Sequence, residues 1–145
     1  MTAKEYLRQI YILRNKIQRL KRRRDDMYAD LYSIGSPAGK MDIDKVQTSM
    51  SGDTMLRLIA RIDKADRQLV REIEQLEAKK QKIMKQIEAM PNEQHRSVLY
   101  HRYVLCWKWS EIAADMVLDE RWVYRIHGQA LAAFGKQFNL TSERQ

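Results

Sequence analysis

Apolar side chains recur along the first third of the chain in alternating steps of three and four. Ala3, Tyr6, Ile10, Leu13, Ile17, Leu20, Arg24, Met27 and Leu31 form one such ladder, interrupted only by Arg24. A repeat of this kind keeps one stripe of a helix facing a partner and predicts a coiled-coil-like seam. The pattern stops at Ile34-Gly35-Ser36-Pro37, where glycine and proline end a helix. A second ladder runs Met55, Ile59, Ile62, Asp66, Leu69, Ile73, Leu76, Lys80, Ile83, Ile87 and Met90. Ser51 or Asp53 can cap its start, because a side-chain oxygen there accepts from free backbone N–H groups. Pro91 follows its last apolar residue and disfavours helix at the position before it. The second helix is therefore expected from Asp53 to about Ala89.

Residues 35–52 are rich in Gly, Ser and Asp and read as a loop that reverses the chain. An antiparallel helical hairpin follows, with an intermolecular coiled coil as the competing arrangement. In the hairpin Arg24 and Asp66 lie at similar distances from the loop and are expected to meet, since a buried charge without a partner costs several kcal/mol. Leu7, Tyr11, Ile12, Leu58 and Val70 fall off the seam and predict a second apolar surface, covered most simply by homo-oligomerisation.

After Pro91 the spacing shortens. Val98, Leu99 and Tyr103 share one side of a short helix; Trp109, Ile112, Ala113 and Met116 share one side of a second; Val123, Ile126, Ala130, Leu131 and Phe134 share one side of a third. Asp119 is placed to cap the last helix, and Glu120 in its first turn favours the N-terminal dipole. The expected class is all-α: a long helical hairpin over 1–90, for oligomerisation or interaction, and a small helix-turn-helix domain over 91–145.

Composition agrees with helices. Charged residues make up 32% of the 145, against only 5 Gly and 2 Pro, which argues against the many turns of an all-β fold. The lone cysteine, Cys106, excludes an intrachain disulfide and fits a reducing compartment. No apolar run reaches membrane length and the first residues lack a signal-peptide core, so a soluble, cytoplasmic protein is expected. The net charge of +8 is uneven. Residues 1–90 carry 20 Lys and Arg against 13 Asp and Glu, whereas residues 91–145 carry 7 against 6. The densest basic run, Arg14, Lys16, Arg19, Lys21, Arg22, Arg23 and Arg24, occupies nearly every heptad position, which fits a solvated surface better than a single phosphate-binding face.

The motif set that carries chemistry lies near the C-terminus: Leu99-x-x-Arg102-Tyr103, Trp109-Ser110-Glu111-Ile112-Ala113, then Asp119-x-x-x-Val123-Tyr124-x-Ile126 and Ala130-Leu131. It resembles region 4 of sigma factors. The phrase Val123-Tyr124-Arg125-Ile126-His127-Gly128-x-Ala130-Leu131, with the long helical first half and Ser36-Pro37, looks like small phage-encoded transcriptional regulators, the RinA and ArpU late-gene activators and their relatives. The resemblance implies a regulator in a bacterial host cell that binds double-stranded promoter-region DNA through its last helix, and possible contact with RNA polymerase.

If Val123, Ile126, Ala130 and Phe134 face inward, Arg121, Trp122, Arg125 and Gln129 share the outward stripe, with Tyr124 beside them. Arginine grips guanine and glutamine grips adenine by paired hydrogen bonds. Arg102, Lys108, His127 and Lys136 would hold phosphates around the rim. Trp122 is also a candidate for the core or an interface, and Trp109 for the core. Gly128 in a helix interior reads either as close approach of a backbone or a partner or as a tolerated accident. Three positions depart from the sigma pattern. Val117 stands where the turn commonly has glycine, so a rebuilt turn is expected; Trp122 replaces a polar residue; and Lys108 replaces a capping Ser or Thr.

No glycine-rich phosphate loop, paired Cys-x-x-Cys, zinc-type histidine spacing or acid/base carboxylate pair is present. No enzyme activity, cofactor or metal is expected. Two other readings remain open: a small terminase subunit, which joins a helix-turn-helix to oligomerising helices, and a protein-interaction module that no longer reads DNA.

Overall fold

The computed structural model describes residues 1–35 and 52–141, with side chains from 1–33 and 52–141. The described chain is all-α. In order it forms α1 (Ala3–Gly35), α2 (Gly52–Glu88), α3 (Glu93–Leu99), a π-helical turn at Tyr100–Val104, α4 (Trp109–Met116) and α5 (Glu120–Gln137). The end of α2 at Glu88 agrees with the expected end near Ala89. The loop at 35–52, Ser36-Pro37 and the cap at Ser51 lie outside the described residues.

Local chemistry accounts for the helix starts. Thr2 Oγ1 accepts from the Glu5 N–H at 3.1 Å while Glu5 Oε2 accepts from the Thr2 N–H at 2.8 Å, a reciprocal capping box on α1. Asn92 Oδ1 accepts from the His95 N–H and starts α3. Asp119 Oδ1 accepts from the Trp122 N–H at 2.8 Å and starts α5, as its position predicts. Lys108 has no side-chain acceptor, and the start of α4 is held from the other side: Glu111 Oε2 accepts from the Lys108 N–H. Free carbonyls at the end of α2 are satisfied by side chains, Arg96 donating to Met90 O and Gln137 to Ala89 O.

The chain divides into two compact units, one of residues 1–14 with 75–145 and the other of residues 15–74. In the first unit the core draws on both chain ends. Ala3, Leu7 and Ile10 of α1, Ile83 and Ile87 of α2 with Met90, Leu99, Tyr103 and Val104, and Ala130 and Phe134 of α5 form one buried cluster. A second cluster, Val98, Ile112, Ala113, Val123 and Ile126, lies under α3, α4 and α5. The expected boundary near residue 90 thus separates segments that share a core. Leu7, read as off the seam, is fully buried. Each fully buried side chain of this size contributes about 1.5–3 kcal/mol.

In the second unit the helices run antiparallel. Lys16 meets Glu72 at 2.9 Å, and further along α1 Arg24 meets Asp66 at 3.5 Å, with the Tyr28 hydroxyl donating to Asp66 at 3.0 Å. The Arg24–Asp66 pair is the one the spacing predicts. That hydrogen bond, first, and the Asp66 charge hold the Tyr28 phenol above its ordinary range. The seam on α2 differs from the expected one. Ile62 and Leu69 are buried, but their companions are Leu58, Ala65 and Glu72, while Met55, Ile59 and Ile73 are exposed. Two ladders share the 62–69–76 rail, and α2 is rotated so that Glu72 reaches Lys16. Apolar spacing favoured the other ladder, because Ile59 and Ile73 are more apolar than Ala65 and Glu72 and each ladder carries one carboxylate over this stretch, Asp66 or Glu72.

Candidate nucleic-acid interface

The last helix is two-faced. Val123, Ile126, Ala130 and Phe134 are all buried. On the other side Arg121, Trp122, Tyr124, Arg125 and Gln129 are exposed. The Arg125 guanidinium lies 5.1 Å from the Trp122 ring, so the two side chains form one cation–π unit on the surface. Trp122, a candidate for the core, is 45% exposed and takes no part in either buried cluster. Lys108, at the start of α4, and Lys136, in the last turn of α5, are exposed.

Two residues expected at the rim are engaged within the protein. Arg102 donates to Trp107 O at 2.9 Å and its guanidinium covers Trp109 at 4.4 Å. His127 Nε2 and the Tyr103 hydroxyl share a 2.7 Å hydrogen bond. The same imidazole stacks on Tyr103 at 5.7 Å and meets the edge of Trp109 at 4.6 Å. Burial pushes the His127 imidazole down to about 4, and the nearby charges of Lys4 and Arg102 push the same way. His127 is therefore neutral at pH 7 and offers no cation to a phosphate. With Tyr124 also meeting Trp109 in a T-shaped contact at 4.9 Å, these rings clamp α5 to α4. Trp109 itself is half-buried and packs against the second cluster.

Sequence reasoning missed the companion clamp at His101. Its Nδ1 lies 2.7 Å from Ser97 O, its ring 4.5 Å from Trp107, and its Nε2 3.7 Å from Asp115 on α4. The four-residue step from Ser97 to His101 was the available signal; Trp107 and Asp115 come near only through the tertiary fold.

The connection between α4 and α5 keeps the left-handed conformation that glycine usually supplies. Val117 sits at φ 54° and ψ 46° and is 87% exposed. The turn is not rebuilt: valine adopts the strained geometry, and its N–H and that of Leu118 still reach the carbonyls of Ala114 and Ala113. Gly128 faces solvent, and a Cβ built there meets nothing within 4 Å. Among the described residues no close approach explains this glycine.

The basic run of α1 splits by role. Lys16 and Arg24 pair with Glu72 and Asp66. Arg14, Arg19, Arg22 and Arg23 are exposed. Among the described residues no group of three or more His, Cys, Asp and Glu could hold a metal ion, and no helix is long and apolar enough to cross a membrane. No protein-family model, curated protein or solved structure matches the chain.

Proposed function

We propose that this protein is a sequence-specific DNA-binding regulator of the phage type, reading promoter-region duplex with the outer face of α5. One observation carries the reading. Arg121, Trp122, Arg125 and Gln129 occupy a single exposed stripe, turned away from the buried Val123, Ile126, Ala130 and Phe134. A short helix, a tight turn and a second helix clamped by aromatic rings present that stripe on a rigid support, as major-groove readers require. Arg121 and Arg125 are the base-reading candidates, Gln129 extends the stripe, and Lys108 and Lys136 are phosphate contacts. Contact with RNA polymerase is a further part of this proposal and rests on the sigma-like motifs alone.

The test is selection of bound fragments from a random DNA pool by the full-length protein. Enrichment of a common site is expected. Arg121→Ala and Arg125→Ala should each lose about 1–3 kcal/mol of discrimination at particular base pairs. Failure to retard any DNA at low salt would reject the reading. It would favour a protein-interaction module, which the exposed aromatic rings of Trp122 and Tyr124 on the same helix support.

A further inference from the structure

A second apolar stripe runs along α2 within residues 15–74, beside the seam that faces α1. Leu56, Ile59, Val70 and Ile73 are 66%, 45%, 55% and 38% exposed. With Asp63 and Asp66 between them, the stripe steps by three, four, three, four and three residues. That order of steps reads the same in both directions, and so does the order of residue classes: two apolar, two aspartates, two apolar. A two-fold axis pairs each position with its mirror position on a second copy, so this order of residues would set apolar side chains on apolar ones at both ends of the contact.

We infer that α2 is the dimer face of this protein, two copies meeting antiparallel about an axis that passes between Lys64 and Ala65. Leu56 then packs on Ile73 of the second copy, and Ile59 on its Val70. The offset is that of an antiparallel coiled coil. Asp63 lies opposite Asp66 of the other copy at the centre. Those carboxylates come with their own cations: Arg67 holds Asp63 at 2.9 Å and Arg24 holds Asp66 at 3.5 Å. The central layer is still the weak point, since like charges facing one another oppose association. A dimer that is specific in register and moderate in strength results. This assignment stands apart from the DNA reading: a DNA-binding monomer would overturn it and leave that reading intact.

Sedimentation equilibrium of the full-length protein across the micromolar range is the first measurement. Twice the chain mass is expected, and a monomer throughout would overturn the inference. The double variant Ile59→Lys, Val70→Lys alters only exposed positions. It should keep the helical circular dichroism and weaken dimerisation by well over about tenfold. Asp63→Leu should tighten it. Undiminished dimerisation of the lysine variant would overturn the assignment of this face.

Register is read by disulfide trapping in a Cys106→Ser background. A mixture of Ile59→Cys and Val70→Cys chains should cross-link. Either variant alone should not, and efficient trapping of Ile59→Cys with itself would overturn the antiparallel pairing.

Discussion

The two units spend their apolar side chains differently. In residues 15–74 the described apolar side chains taken fully inside are Ile17, Ile62 and Leu69; Leu20, Met27, Leu31 and Leu58 are half-buried, and Lys16–Glu72 and Arg24 and Tyr28 on Asp66 bridge the two helices. In the other unit Leu7, Leu99, Ile112, Val123, Ala130 and Phe134 are wholly excluded from water, and half-buried aromatic rings close over them. Both units are built from amphipathic helices. The unit of residues 1–14 with 75–145 buries most of its large apolar side chains, leaving Tyr11, Ile12, Trp122 and Tyr124 outside; among the described residues the unit of residues 15–74 leaves a whole stripe of α2 open. Regular heptad spacing therefore does not by itself say how much of a helix is covered.

That contrast has measurable edges. Phe134→Ala removes a side chain of zero exposure from the junction of α1, α2 and α5 and should cost about 3–5 kcal/mol in denaturant unfolding. Leu69→Ala, in the thinner interior, should cost less, near the lower end of the roughly 2–5 kcal/mol range for such truncations. Equal losses would erase the distinction.

A second edge is pH. Because folding lowers the imidazole of His127 to about 4, the unfolded chain binds more protons than the folded one between about pH 6.5 and pH 4. The contribution of His127 is complete above that window and is lost as pH falls through it, by about 2–3 kcal/mol after allowing for its partial exposure. Unfolding free energies measured through the window check this, and His127→Gln should flatten the slope.

The smallest effect is at the turn. Val117→Gly relieves a β-branched residue of positive φ and should raise stability by about 1 kcal/mol, with the fold unchanged. A loss instead would mean that the valine side chain contributes more than its exposure suggests.

Much of the fold is legible in spacing because helices repeat simply. The α1 ladder, the inward face of α5, the Asp119 cap and the Arg24–Asp66 pair follow from counting residues. What escaped was decided by tertiary contact. On α2 two ladders share a rail and apolar spacing favoured the outward one; a lysine on α1 settled the rotation. Arg102 and His127 look like surface cations in sequence. Their roles depend on Trp109 and Tyr103, which stand at no diagnostic distance from them along the chain. The merging of residues 1–14 with the C-terminal helices has no local signal either, since each segment shows only that it has an apolar side. At Val117, residue preference argued for another turn, and the hydrogen bonds closing α4 outweighed it.

Gly128 gives the outer surface of α5 an uneven relief. Arg121 and Arg125 stand out with long cationic stems and Gln129 continues the stripe; beside it, at Gly128, there is only main chain, with open space above it. A rod laid along this helix touches guanidinium groups and the Gln129 amide, and only at Gly128 can it sink to the peptide backbone. The helix thus presents a notched ridge rather than a level one, and filling the notch with a bulky side chain would lift whatever rests there.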